Sequence, residues 1–186
     1  MSEELKISRT PVREAIGQLV QDGLAVYNPG RGCTVKVFDA SDVYDLYELR
    51  EQLEVFALKK IVHSISPESL HKLKECCEHF KVLLERVKTE NEDDGLHRII
   101  MEVNATDMNF HLQLLLNARN KYVRKVTSDL NILSNVIMLS HHGNIKSKEE
   151  IIKEINDSYI AHKSIYDAIE CGDVEKASAI VSEHLQ

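Results

Sequence analysis

The chain has 186 residues, 43% hydrophobic and 28% charged, with 7 Gly, 3 Pro and no Trp, enough for one ordinary domain or one domain plus a small appendage. No apolar run approaches the ~18 residues of a membrane span, and the acidic start M-S-E-E-L-K lacks the basic, then greasy pattern of a signal peptide, so a soluble cytoplasmic protein is expected. The net charge of −7 argues against a broad nucleic-acid surface, yet residues 1–37 hold five Lys/Arg against four acids, leaving a head of +1 on a body of −8 that is compatible with one local DNA contact.

In S-R-T-P-V-R-E-A-I, Pro11 suits the first turn of a helix and Thr10 its cap. That helix is expected to reach about Asp22 and to bury Val12, Ile16, Leu19 and Val20, with Arg9, Thr10 and Arg13 gathered at its start. From Leu24 to Val37, L-A-V-Y and C-T-V-K-V flank N-P-G-R-G and read as a hairpin, with Arg31 at its tip between Gly30 and Gly32. A basic helix start followed by a turned hairpin fits a winged helix-turn-helix, with the helix N-terminus in the major groove and the wing near the backbone. The spacing fits a solvated helix start and an ordinary hairpin equally well.

Phe38 to Ala40 reads as a connector, giving a head over 1–37 and a body over 41–186. Few Gly, Pro and aromatic residues make the body mostly α. Ser41 is positioned to cap a first helix with apolar positions Val43, Leu46, Leu49, Leu53, Phe56, Ala57 and Ile61. Ser66-Pro67 opens the next, whose stripe is Leu70, Leu73, Cys77, Phe80, Leu84 and Val87. After a polar break at 89–95, a third pattern runs from about Leu96 to Ala118 with an interruption near Asn104, and a fourth from about Lys121 to Ser140. A fifth runs from about Ser147 to Gly172, and Asp173 caps a sixth that reaches the chain end. The expected architecture is therefore a partial winged helix-turn-helix head followed by an antiparallel bundle of about six helices. The cysteines Cys33, Cys76, Cys77 and Cys171 read as small core residues.

Three histidines and an aspartate in the body point to chemistry. Asp107 and His111 lie four apart and share a helix face, an acceptable pair for a divalent metal, although a lone His beside Phe110 and Leu114 is more often a satisfied core residue. His162 continues the stripe Ile155, Tyr159, Ile165, Ile169, and His184 continues Ala177, Ile180, Val181, so both point inward. Residues 162 and 184 are equidistant from a turn at Gly172-Asp173, which sets them at matching heights in an antiparallel hairpin. Two buried neutral imidazoles need a partner, and a shared cation supplies one; three histidines and an aspartate suit Zn, Ni or Mn with positions left for water or ligand. Arg50, if turned inward, requires an anion: either Glu54 one turn on, or a ligand carboxylate. His141-His142, before Gly143-Asn144, read as a favourable end to the helix dipole, and His63, His71, His79 and His97 receive no role.

The stretch E-E-L-K-I-S-R-T-P-V-R-E-A-I-G-Q-L-V-Q-D-G-L-A-V-Y-N-P-G-R-G-C-T-V resembles the second half of the winged helix of the GntR family of bacterial transcription regulators. The resemblance implies DNA contact by Arg9, Thr10 and Arg13 and a wing containing Gly30, Arg31 and Gly32. The family's first helix has no counterpart in this chain, which implies an unstable or rearranged head with weakened DNA affinity. Y-E-L-R-E-Q-L-E, D-M-N-F-H, A-H-K-S-I-Y-D-A-I-E-C-G-D-V-E-K-A and S-E-H-L resemble the FCD effector domain of the FadR-type subgroup. In metal-binding members the ligands fall at Asp107, His111, His162 and His184; members lacking them bind acyl-CoA. The resemblance also favours Arg50 as an effector contact. The expected protein is a homodimeric, DNA-binding transcription regulator, not an enzyme, whose partners are operator DNA, a divalent metal and a small carboxylate effector. The other readings are a sensor that acts without DNA binding of its own and a metalloenzyme.

Overall fold

The computed structural model describes residues 6–140 and 147–186, without side chains at 129, 131, 135 and 138–140. The chain divides into two compact units, residues 1–42 and 43–186. In the first, helix α1 (Arg9–Gln21) precedes strands β1 (Ala25–Asn28) and β2 (Gly32–Val35), which pair antiparallel from Ala25 opposite Val35 to Asn28 opposite Gly32. Pro29 and Gly30 take the central positions of the connecting turn, closed by Arg31 N–H donating to the Asn28 carbonyl at 3.0 Å. Gly30 has φ +77, the left-handed value that the third residue of a type II turn requires and that glycine adopts without a Cβ clash.

Two expectations for the head are corrected. Helix α1 begins at Arg9, so Ser8 and not Thr10 occupies the N-cap position, and its side chain makes no cap hydrogen bond. Pro11 still falls in the first turn, where the missing N–H has no intrahelical carbonyl to meet. None of Val12, Ile16, Leu19 and Val20 is buried; Leu19 and Val20 are exposed, because the small hairpin covers only one edge of the helix.

The second unit holds α2 (Ala40–Ile61, its first residues in the head unit), α3 (Pro67–Thr89), α4 (Asp93–Asn117), α5 (Lys121–Ser140), α6 (Lys148–Glu170) and α7 (Val174–Leu185). Helix α3 packs against α4 and α6, α4 against α5, and α6 against α7. Caps mark the ends as the sequence expects: Ser66 Oγ accepts from Ser69 N–H, Ser147 and Glu150 form a capping box, and Asp173 accepts from Lys176 N–H. Helix α2 differs. Asp39, not Ser41, caps it, its Oδ1 accepting from Ser41 N–H at 2.8 Å and Asp42 N–H at 3.0 Å. Helix α4 is continuous through Asn104.

The larger core joins Leu58, Ile61, Leu73, Cys77, Phe110, Leu114, Ile165, Ile169, Ala177 and Val181 from five helices. A second cluster, Phe80, Leu83, Val87, Ile99, Ile151 and Ile155, seals the far end of α3 and α6. Cys76 and Cys77 are buried as expected, Cys33 is half-buried, and Cys171 is exposed because it is the C-cap of α6 at the turn. The buried face of α2 is also shifted: Leu46, Arg50, Glu54, Ala57, Leu58 and Ile61 face inward, while Leu49 and Phe56 are exposed. A charged pair takes the interior because each member finds a partner there. The expected role of His141-His142 lies outside the described residues.

Candidate metal centre

Asp107 and His111 stand one turn apart on α4, and α6 and α7 bring His162 and His184 to the same point. One donor atom from each lies within 4.8 Å of all the others. Asp107 Oδ1 is 3.3 Å from His162 Nε2, 3.6 Å from His184 Nε2 and 3.8 Å from His111 Nε2, and the Nε2 atoms of His111 and His162 are 3.3 Å apart. Two nitrogen ligands about 2.1 Å from a tetrahedral zinc lie about 3.4 Å from each other. The closest donor pair matches that spacing, and the wider ones, up to 4.8 Å, would have to draw in around an ion. His162 is held by stacking on Phe80 (centroids 4.8 Å) and by the edge of Phe110 (4.5 Å), so an apolar wall of the core fixes the ring.

The other ring nitrogens decide what the Nε2 atoms can do. His162 Nδ1 lies 2.6 Å from the Ser158 carbonyl, which can only accept, so Nδ1 carries the proton. His111 Nδ1 lies 2.5 Å from Glu54 Oε2, a carboxylate that likewise accepts. In the neutral rings both Nε2 atoms then present lone pairs, 3.3 Å apart, with no proton between them. Such a pair is repulsive unless a cation lies between, and the donor set of three imidazoles and a carboxylate fits a borderline-soft divalent metal.

The electrostatics bear on the same donor atoms. Burial is the largest influence on His111 and pushes its pKa down, toward the neutral, ligating form. Burial alone would raise Asp107, but when the rings are protonated, hydrogen bonds from His162 and His184 and the charge of His111 and His162 outweigh it, so the carboxyl is held well below its usual range; with neutral rings a bound cation would take the place of those protons. Burial would also raise Glu54, and the His111 ring and the Arg50 guanidinium together reverse that and keep it ionised.

Arg50 does turn inward. Its Nε donates to Glu54 Oε1 at 3.0 Å, so the intrahelical partner is real, yet the guanidinium is not exhausted. Among the described residues, Nη1 meets the Met108 sulfur at 3.9 Å, the guanidinium stands over the Tyr47 ring at 5.1 Å, and Nη2 is buried without a hydrogen-bond partner. Arg50 lines a narrow cavity with Met108, His111, Leu115, Thr127 and Ser134. The Ser134 hydroxyl is the second orphaned polar group on that lining. Thr127 and Ser134 escaped the sequence reading, although they interrupt an apolar stripe of Val123, Leu130 and Ile137 at helical spacing. The contact of Glu54 with His111 also escaped it, since 57 residues separate them.

In the head, Arg9, Thr10, Arg13, Gly30 and Arg31 are exposed and Gly32 is half-buried. Arg9 and Arg13 lie one turn apart on α1, and Arg31 stands in the hairpin turn. The two arginines on the helix share a face.

The chain matches the family model described as FCD domain over residues 45–186 and the model for bacterial regulatory proteins of the gntR family over residues 1–35. It is 27% identical over 130 residues to the Nta operon transcriptional regulator of Aminobacter aminovorans, covering 70% of this chain and 56% of that one. It is 20% identical over 189 residues to the HTH-type transcriptional repressor RspR of Escherichia coli, covering the whole of this chain and 74% of that one. The chain thus spans between about half and three quarters of these relatives. Among solved structures, E. coli McbR/YncC superposes with a TM-score of 0.71 at 19% identity, over 100% of this chain and 80% of that one. A putative GntR regulator from Rhodococcus superposes with a TM-score of 0.68 at 22% identity, over 99% and 79%. These likenesses establish the fold. No helix among the described residues is long and apolar enough to cross a membrane.

Proposed function

The chain belongs to the GntR family of bacterial transcription regulators with an FCD body, and we propose that this body binds one divalent metal and a small carboxylate effector that together set how the winged heads engage operator DNA. The observation that carries the metal is the convergence of His111 Nε2 and His162 Nε2, 3.3 Å apart, with donor atoms of His184 and Asp107. Asp107, His111, His162 and His184 would hold the ion; zinc, nickel and manganese suit the donors. Bound there, it supplies positive charge and open positions for an oxygen ligand.

The orphaned Nη2 of Arg50 favours an anionic effector, since a buried guanidinium is satisfied best by a carboxylate. Ser134 Oγ offers that ligand a second polar contact. In the head, Arg9, Thr10 and Arg13 would meet the major groove and Gly30, Arg31 and Gly32 would bring the wing to the backbone. Operators read by such heads are near-palindromic, so the working form is a cytoplasmic homodimer. The effector acts by binding one arrangement of the heads more tightly than the other.

Titration of chelator-stripped chain with Zn²⁺ or Ni²⁺, followed by calorimetry, tests this reading. One ion per chain, lost on Asp107→Ala, supports it; a chain that takes up neither metal rejects the metal half. A screen of small organic acids by thermal shift then tests the cavity, and a response that survives Arg50→Met rejects the anion contact.

A further inference from the structure

A single carboxylate touches both halves of the site. Glu54 is wholly buried, with Oε1 on Arg50 Nε at 3.0 Å and Oε2 on His111 Nδ1 at 2.5 Å. Its two oxygens are thus divided between the cation of the cavity and a histidine of the metal cluster. We propose that Glu54 is a positioning residue that links the two: it aims His111 Nε2 at the metal, and the charge on Arg50 sets how strongly it does so.

The linkage follows from one negative charge shared between two donors. Glu54 is the carboxylate hydrogen-bonded to Arg50, with Asp107 acting on it only through space, so part of the Glu54 charge is spent on the guanidinium. Neutralising Arg50, whether by a bound anion or by substitution, leaves Glu54 to His111 alone. A more available carboxylate on Nδ1–H makes Nε2 a better donor and fixes the ring, the outer-shell effect by which carboxylates strengthen histidine ligands. The reverse holds by linkage: a cation on Nε2 draws Glu54 toward His111 and leaves Arg50 more attractive to an anion. Arg50 Nη2, buried without a hydrogen-bond partner among the described residues, is the donor that such an anion would meet, and the narrow cavity beside it would have to widen to admit one. The proposal rests on the reading of Asp107, His111, His162 and His184 as metal ligands.

The test uses the full chain and Zn²⁺ alone, its affinity read by competition with a chromophoric chelator. Glu54→Gln weakens zinc about 10–100-fold, the usual cost of losing an outer-shell partner. Arg50→Met strengthens zinc several-fold in the wild-type background and has no effect in the Glu54→Gln background. An Arg50 effect that persists in the Glu54→Gln background is direct repulsion between cations and overturns the linkage. The double variant removes both buried charges together, so it remains folded where a single variant fails, and wild-type zinc affinity in it also overturns the proposal. Cobalt loading adds a readout that simple loosening does not move: the visible ligand-field bands shift in Glu54→Gln and return with Glu54→Asp. Tight zinc in the wild type with unchanged affinity and bands in Glu54→Gln rejects the linkage and leaves the site; a wild-type chain that binds no zinc rejects both.

Discussion

Metal removal destabilises the helical body by an amount that can be worked from its geometry. The four donors come from α4, α6 and α7, so an ion bound by all four exists only while those helices are packed. A ligand held only by the native state stabilises it by about 2.7 kcal/mol at a free concentration one hundred times its Kd. For a body spanning residues 43–186, each kcal/mol moves the melting temperature by about 2–4 °C. Stripping the metal therefore lowers the melting of the body by about 5–10 °C. Circular dichroism at the helical band, scanned with a chelator and then with Ni²⁺ restored, reads the shift. Zinc is the poorer probe here, because unfolded thiols bind it and shrink the difference. In His162→Ala the shift vanishes, since the variant loses the ring that faces His111. Equal melting with and without metal in the wild type, or an undiminished shift in His162→Ala, refutes the reasoning.

Further outcomes follow from named residues. His111 is depressed below its usual 6.5 by burial, and Asp107 is held below 3.8 by its histidine partners in spite of burial. In both windows the unfolded chain binds more protons, so the stability of the metal-free body falls as pH drops below about 6.5 and again below about 3.8; urea midpoints that stay flat from pH 7.5 to 5 contradict this. Arg13→Ala and Arg31→Ala each weaken binding to a generic DNA duplex and reduce its salt slope by about one, read by fluorescence anisotropy; an unaltered slope removes that residue from the interface. Asp173→Ala loses the cap on Lys176 N–H at a cost of about 1 kcal/mol. Because α7 carries His184, metal affinity falls with it, and a variant unchanged in both contradicts the cap's role.

Much of this molecule was legible because local chemistry spoke for it. The boundaries at Ser66-Pro67, Ser147 and Asp173 are carried by caps whose hydrogen bonds the structure contains. The convergence of His162 and His184 follows from their equal distance from the turn at Gly172, and their ring centroids lie 4.7 Å apart. The inward face of α2 was not legible in the same way. Hydropathy selects Leu49, Leu53 and Phe56, whereas the helix turns so that Arg50 and Glu54 are inside. The Arg50–Glu54 pair and the tertiary partner His111 together make that orientation tolerable, and no local pattern announces a contact across 57 residues. Ser134 was hidden for the related reason that an orphaned hydroxyl is defined by a cavity, not by a stripe. In the head, hydropathy overstated burial of Leu19 and Val20, which stay exposed although α1 packs on β1.

The most direct measurement is the metal content per chain, by elemental analysis of protein purified without a metal-affinity tag, beside His162→Ala prepared in the same way. Close to one equivalent of a divalent transition metal is expected in the wild type, and none in the variant. No metal in either, even after incubation with zinc or nickel, would contradict this and leave Asp107, His111, His162 and His184 as a partly buried polar cluster.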